Sequence, residues 1–147
     1  MFTYQDYYHM VSTLLEDKRT VYFRHDVDIS VDKAVQMAEK ESNMKLKPTT
    51  YFILTSSKYY NPFSKDCKRK IEQIIDMGHA IGLHYDLSLI PNDIQLQAKY
   101  ILWHRSLLEQ EFDIEVIACS AHQPVMNNIQ ITRELASALQ ISGLHDV

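Results

Sequence analysis

Four short segments hold most of the side chains that could do chemistry: Arg24-His25-Asp26-Val27-Asp28, Thr55-Ser56-Ser57, His84-Tyr85-Asp86 and Ser120-Ala121-His122-Gln123-Pro124. Each lies at the end of a short apolar run, and these runs alternate with stretches of helical period. In α/β folds ligands collect at the carboxyl ends of the strands, so the four segments are expected to meet on one rim. Two carboxylates and two imidazoles meeting there make an oxygen and nitrogen donor set suited to a divalent metal, zinc included. The two thiols, Cys67 and Cys119, stand outside that set.

Each segment alone also has a plainer reading. Asp-Val-Asp after a strand can simply cap the next helix, and a lone histidine at a strand end is more often a satisfied core residue. His79 follows Gly78 at the opposite end of its strand and reads as structural. His9 and His104 read as helix-surface residues, and His25, alternating with Arg24 and Asp26, as turned into a packing layer. The pairs Tyr7-Tyr8 and Tyr59-Tyr60 read as packing rather than as a sugar platform. The joint occurrence at four matching strand ends is what favours function.

The elements that must position these residues follow from periodicity. Thr3 with Asp6 can cap a first helix whose apolar face is Tyr7, Val11, Leu14 and Leu15. Residues 21–25 predict a strand, and Ser30 can cap a helix with Val31, Ala34, Val35 and Ala38 inward. Pro48 breaks the chain before a second strand at 49–54. A helix carrying Cys67, Ile71, Ile74 and Ile75 stops at Gly78, and a third strand covers 79–84. A long helix over 92–111 offers Ile94, Ala98, Ile101, Leu102 and Leu108 to the core. A fourth strand follows at 114–120, then a helix with Ile131, Leu135 and Leu139. Strands alternating with helices predict a mainly parallel α/β fold.

Composition bounds the rest. The chain has 147 residues, 46% hydrophobic and 23% charged, with three glycines and four prolines, which fits one domain over 1–147 and excludes disorder or a linker-rich array. Fifteen Lys and Arg against nineteen Asp and Glu give a net charge of −4, and no basic run exceeds Lys68-Arg69-Lys70, so no nucleic-acid partner is expected. The first residues lack a signal-peptide pattern and no run approaches the ~18 apolar residues of a membrane span. A cytoplasmic location is the expectation, and two cysteines in unlike contexts fit a reducing compartment.

Phe23-Arg-His-Asp-Val-Asp28, Thr50-Tyr-Phe-Ile-Leu54, Gly78-His-Ala-Ile-Gly-Leu-His-Tyr-Asp86 and Ser120-Ala-His-Gln-Pro124 resemble, in order and spacing, the polysaccharide deacetylase superfamily (NodB-like, carbohydrate esterase family 4). The closer resemblance is to its branch with an Arg-His-Asp-Val-Asp first motif, over about residues 21–124. It implies a distorted (β/α) barrel, often seven-stranded, of which this chain would be a partial version with the C-terminal strands missing. It implies a metal-dependent hydrolase, commonly with zinc, that removes acetyl groups from N-acetylated sugars or polysaccharide precursors by cleaving an amide C–N bond. Carried onto this chain, it makes Asp26 the general base, Asp28 and His84 metal ligands, and Arg24 and Asp86 substrate contacts. The family's second motif histidine falls on Ser88, a poor zinc ligand, so His122 is the first choice for the third ligand and Asp86 the second. The family's general acid is a late histidine, for which His145 comes too early.

Two other readings stand beside this one. The chain can be an inactive or incomplete deacetylase-like fragment that binds metal or sugar. Asp26-Val-Asp-Ile-Ser30 also fits the Asp-x-Asp-x-Ser/Thr pattern of haloacid-dehalogenase-type phosphatases, although His84 and His122 would then be idle. An incomplete barrel exposes a strand edge that proteins usually cover, which leads to the expectation of a homo-oligomer.

Overall fold

The computed structural model describes residues 3–16, 21–46, 48–124 and 132–147. In chain order these form α1 (Tyr4–Glu16), β1 (Arg24–Val27), α2 (Val31–Asn43), β2 (Thr50–Leu54), α3 (Lys65–Asp76), β3 (Ala80–Tyr85), α4 (Ile94–Phe112), β4 (Ala118–Ala121), α5 (Arg133–Ile141) and β5 (His145–Asp146). The strands make one five-stranded sheet in the order β1-β2-β3-β4-β5, with every pair parallel. A monotonic order has no reversal point of the kind that marks a doubly wound sheet; it is the order of a (β/α) barrel. The sheet curls accordingly. Arg24 on the first strand reaches the backbone oxygen of Val147, just past the last, with Nη1 at 2.5 Å. The fold is a partial α/β barrel.

Side chains start and stop the helices. Thr3 and Asp6 form the expected reciprocal cap, with Thr3 N donating to Asp6 Oδ2 at 2.6 Å and Asp6 N to Thr3 Oγ1 at 3.3 Å. Ser30, Ser64, Asp93 and Thr132 accept from first-turn amides of the next four helices. After α3 the chain turns at Gly78, whose φ of 88° suits glycine.

Strand pleating then divides the residues. Val27, Ile53, Leu83 and Cys119 stand at one level of the register and pack under the helices in a core with Ala38, Ile71, Ile101 and Leu135. Arg24, Asp26, Phe52, Gly82, His84 and Ser120 alternate onto the opposite face. Gly82 is required there: a Cβ would sit 2.6 Å from two carbons of the Phe52 ring. The absent side chain lets Phe52 lie flat across β3, and the Arg24 guanidinium stacks over that ring at 5.3 Å.

Several expectations are corrected. The first strand begins at Arg24 rather than at residue 21, because Tyr22 is 91% exposed and has nothing to pack on. The fourth begins at Ala118 rather than at residue 114. There the chain is still held to α4, with Ile114 N bonded to the Glu109 carbonyl and Val116 N to Glu109 Oε1 at 3.0 Å. Leu15 and Ile94 are exposed rather than core. His104 is buried rather than on the surface, its Nδ1 2.7 Å from Thr55 Oγ1 and its ring between Tyr100 and Trp103. Ile131 lies outside the described residues. Cys67 and Cys119 are both free thiols. Among the described residues, no helix is long and apolar enough to cross a membrane.

One buried charge stitches the first half together. Glu41 on α2 is fully buried and accepts hydrogen bonds from Tyr7 on α1 and from Tyr51 on β2, the latter at 2.6 Å. His25 Nε2 stands 2.6 Å from the same carboxylate. Burial by itself would raise the Glu41 carboxyl, but His25, Tyr51 and Tyr7 together outweigh it and hold the group below its ordinary value. A carboxyl depressed in the folded state stabilises fully above its unfolded value, and that contribution is lost as pH falls through the folded one. Glu41→Gln is therefore expected to lower stability by ~1–3 kcal/mol at pH 7, with the gap to the parent narrowing in acid. Urea melts across pH check this, and a variant with the parent's midpoint at neutral pH would contradict it.

Candidate functional site

The ends of β1, β3 and β4 bring three side chains to one point. Asp28 Oδ1, His84 Nε2 and His122 Nδ1 form a triangle with every edge 3.2 Å. His84 is placed by β3 and oriented from β4. Its register partner is Ser120, whose carbonyl takes the His84 Nδ1–H at 2.9 Å. A carbonyl can only accept, so Nδ1 carries the proton and Nε2 turns a lone pair to the triangle. His122 extends the β3–β4 pairing by one rung, its N–H donating to the Tyr85 carbonyl at 2.7 Å. The chain then turns sharply at Gln123, in the left-handed region at φ 44°. Asp28 is held through its backbone, where its carbonyl receives the Ser57 hydroxyl at 2.8 Å.

The donor set fits a divalent cation. Asp28 Oδ1 is buried and accepts no well-aligned hydrogen bond among the described residues, although two imidazole nitrogens stand within ion-pair distance. The two contacts to Asp28 Oδ1 are close but off-line, whereas His122 Nδ1 and His84 Nε2 are aligned as a hydrogen bond at 3.2 Å. Bonds of ~2.0–2.2 Å to one metal put the edges of a tetrahedral or octahedral shell at roughly 2.8–3.6 Å, and the observed 3.2 Å falls inside. Burial pushes the His84 imidazole below its ordinary pKa, against the opposing pull of Asp26, Asp28 and the Ser120 carbonyl, which favours the neutral, ligating form.

Around the triangle lies a cleft of about 300 Å³ lined by Arg24, Asp26, Asp28, His84, Ser120 and His122 among others. Arg24 Nη2 donates to Asp26 Oδ2 at 3.1 Å and to Ser120 Oγ at 2.9 Å, so it ties the Asp26 carboxylate to β4. Asp86 is not one of the three converging groups. Its Oδ1 accepts from Ser88 N at 2.8 Å, and it lines a neighbouring cleft. His25 turns to the Glu41 cluster, as its alternation with Arg24 and Asp26 predicts. His79 is structural: Nδ1 accepts from Thr49 N at 3.3 Å and Nε2 faces the Ala38 carbonyl at 3.1 Å. His145 lies exposed on β5.

Tyr60, read as a packing residue, and Ser57 hold the site from behind through bonds that the sequence does not foretell. Tyr60 donates to the Val27 carbonyl and accepts from Leu54 N, bolting the ends of β1 and β2 together. Ser57 does the same for Asp28, and its only signal was its place after a strand.

No protein-family model and no curated protein matches this chain. Solved structures do. A CE4 family pseudoenzyme from Bacillus anthracis superposes with a TM-score of 0.64 at 13% identity, covering 86% of this chain and 42% of its own. A mutant of that pseudoenzyme with restored enzymatic activity gives 0.64 at 13%, over 86% and 43%. A deacetylase solved with its substrate gives 0.50 at 18%, over 76% and 55%. This chain shares its fold with the matching part of these structures, and it spans about two fifths of the pseudoenzyme's length.

The backbone contact fixes the His84 tautomer. A long-range proton–nitrogen correlation spectrum of the chelator-treated protein should show His84 as the Nδ1–H form. An Nε2–H signal would contradict this geometry.

Proposed function

We propose that this chain carries the metal-holding part of a hydrolase that removes acetyl groups from N-acetylated sugars. The observation that carries the reading is the 3.2 Å triangle of Asp28, His84 and His122 with Asp26 on the same cleft. In this reading those three residues hold the cation, for which two nitrogens and one oxygen suit zinc. When bound, it supplies Lewis-acid polarisation of the acetamide carbonyl and lowers the pKa of water. Asp26 takes the proton from the water that attacks the carbonyl carbon. Arg24 holds the Asp26 carboxylate in place, and through Ser120 it couples that carboxylate to the strand that orients His84. The amide C–N bond breaks, acetate keeps the water oxygen, and the sugar amine takes up a proton.

A second reading is a deacetylase-like fragment that binds metal or sugar without turnover. It is favoured by the pseudoenzyme among the structural matches and by the share of that protein's length that is covered. Phosphatase chemistry on Asp26 finds less support, since Ser30, which its motif would use, caps α2 through Lys33 N at 3.3 Å.

The two aspartates separate these readings. Asp28→Asn is expected to weaken zinc binding, measured by dialysis and metal analysis. Asp26→Asn should keep the metal and lose roughly 10²–10⁴ of acetate release from N-acetylglucosamine oligomers. Metal retained by both variants, with acetate release unaltered in both, would overturn the assignment. Metal binding without acetate release in the parent chain would support the second reading.

A further inference from the structure

The inward face of α4 is apolar at Ile101 and Leu108, yet between them it buries an imidazole, that of His104. Burial pushes this ring below its ordinary pKa, so the interior opposes its charged form. A leucine would fill the position without burying a polar group, so the ring's own bonding must explain its presence. Its Nδ1 stands 2.7 Å from Thr55 Oγ1, just past the end of β2. The Tyr100 and Trp103 rings, with centroids 4.2 and 4.8 Å away, flank it and hold it in that direction.

Thr55 opens the turn that holds Asp28. Ser57 N donates back to the Leu54 carbonyl at 3.2 Å and closes the turn around Thr55 and Ser56. Ser57 Oγ then donates to the Asp28 carbonyl at 2.8 Å. Asp28 needs that hold, because β1 ends at Val27 and strand pairing no longer fixes the next residue. Its buried Oδ1 accepts no aligned hydrogen bond among the described residues that could place it instead. Two side-chain bonds, from His104 to Thr55 and from Ser57 to Asp28, thus link α4 to one corner of the triangle.

We propose that His104 is a positioning residue for the metal site, acting through Thr55 and the Ser57 turn to hold Asp28 against His84 and His122. This rests on the metal-holding reading and deepens it by extending the support of the cation to α4. Groups behind a ligand set metal affinity through ligand orientation, by about 10–100-fold. His104 stands further back than a direct partner, so its effect belongs at the lower end of that range.

The test measures zinc affinity of the full chain by competition with a chromophoric chelator at neutral pH. Thr55→Val, which keeps the shape and removes the hydroxyl, should weaken zinc about tenfold, and Thr55→Ser should stay near the parent. His104→Leu should weaken zinc to the same extent. His104→Asn, which keeps a polar atom near the place of Nδ1, should recover most of the loss. Combining Thr55→Val with His104→Leu should weaken zinc no further than either alone, because both cut one link. Circular dichroism verifies that each variant is folded. Zinc bound equally by the parent, Thr55→Val and His104→Leu would overturn the positioning role and leave the metal-holding reading standing. Losses that add in the double variant would also overturn it, since His104 would then not act through Thr55. Absence of zinc binding by the parent would overturn both.

Discussion

The hydrogen bond from His84 Nδ1 to the Ser120 carbonyl, 2.9 Å long and across the β3–β4 register, is the contact on which the site depends. It fixes the tautomer of one imidazole, turns its lone pair to the triangle, and ties ring orientation to strand pairing rather than to a rotamer. A shift of one residue in that register would send His84 to the helix-covered face and leave Asp28 with one imidazole. Strand order therefore acts on chemistry directly. The same pairing continues one rung further, through His122 N and the Tyr85 carbonyl, to deliver the second imidazole.

Polar residues can gather on the face opposite the helices because the two faces do different work. Val27, Ile53, Leu83 and Cys119 bury under the helices and hold the sheet. The opposite face is left free of large aliphatics except at Leu54 and is narrowed to glycine at Gly82, which gives Phe52 room to lie across the sheet. Phe52 in turn supports the Arg24 guanidinium that holds Asp26. A small residue three steps from the chemistry thus decides where the carboxylate stands.

Much of this was legible in the sequence, for a physical reason. Parallel strands bring the polar residues at their carboxyl ends to one rim, so Asp26, Asp28, His84 and His122 can be grouped from the sequence. What escaped was of three kinds. Glu41 lies three residues after Ala38 and seven after Ala34, and His104 three after Ile101 and four before Leu108. Helical period places both inward, yet Glu41 draws no notice in the sequence and His104 reads as surface; Tyr7, Tyr51, His25 and Thr55 satisfy them in the interior. The strand β5 is two residues long and too short for any periodic signal. The pair Tyr59-Tyr60 reads as packing, which holds for Tyr60, engaged by Val27 and Leu54, but not for Tyr59, which is exposed.

The three residues Arg24, Asp26 and Asp28 show how one strand end can hold two carboxylates in different surroundings. All three line the same cleft, Arg24 and Asp26 by the pleat's period of two and Asp28 from just past the strand end, so their environments must differ. Asp26 is neighboured by a guanidinium from its own strand, which accompanies the carboxylate without offering it a ligand site. Asp28 stands past the strand end, where its Oδ1 is shut off from water and faces two imidazole nitrogens instead. A buried carboxylate oxygen without an aligned donor is costly unless a cation completes it. The Asp26 carboxylate, by contrast, has the Arg24 guanidinium beside it, 3.1 Å from Oδ2. The asymmetry follows from where the strand ends: residue 26 still belongs to the sheet, and residue 28 does not.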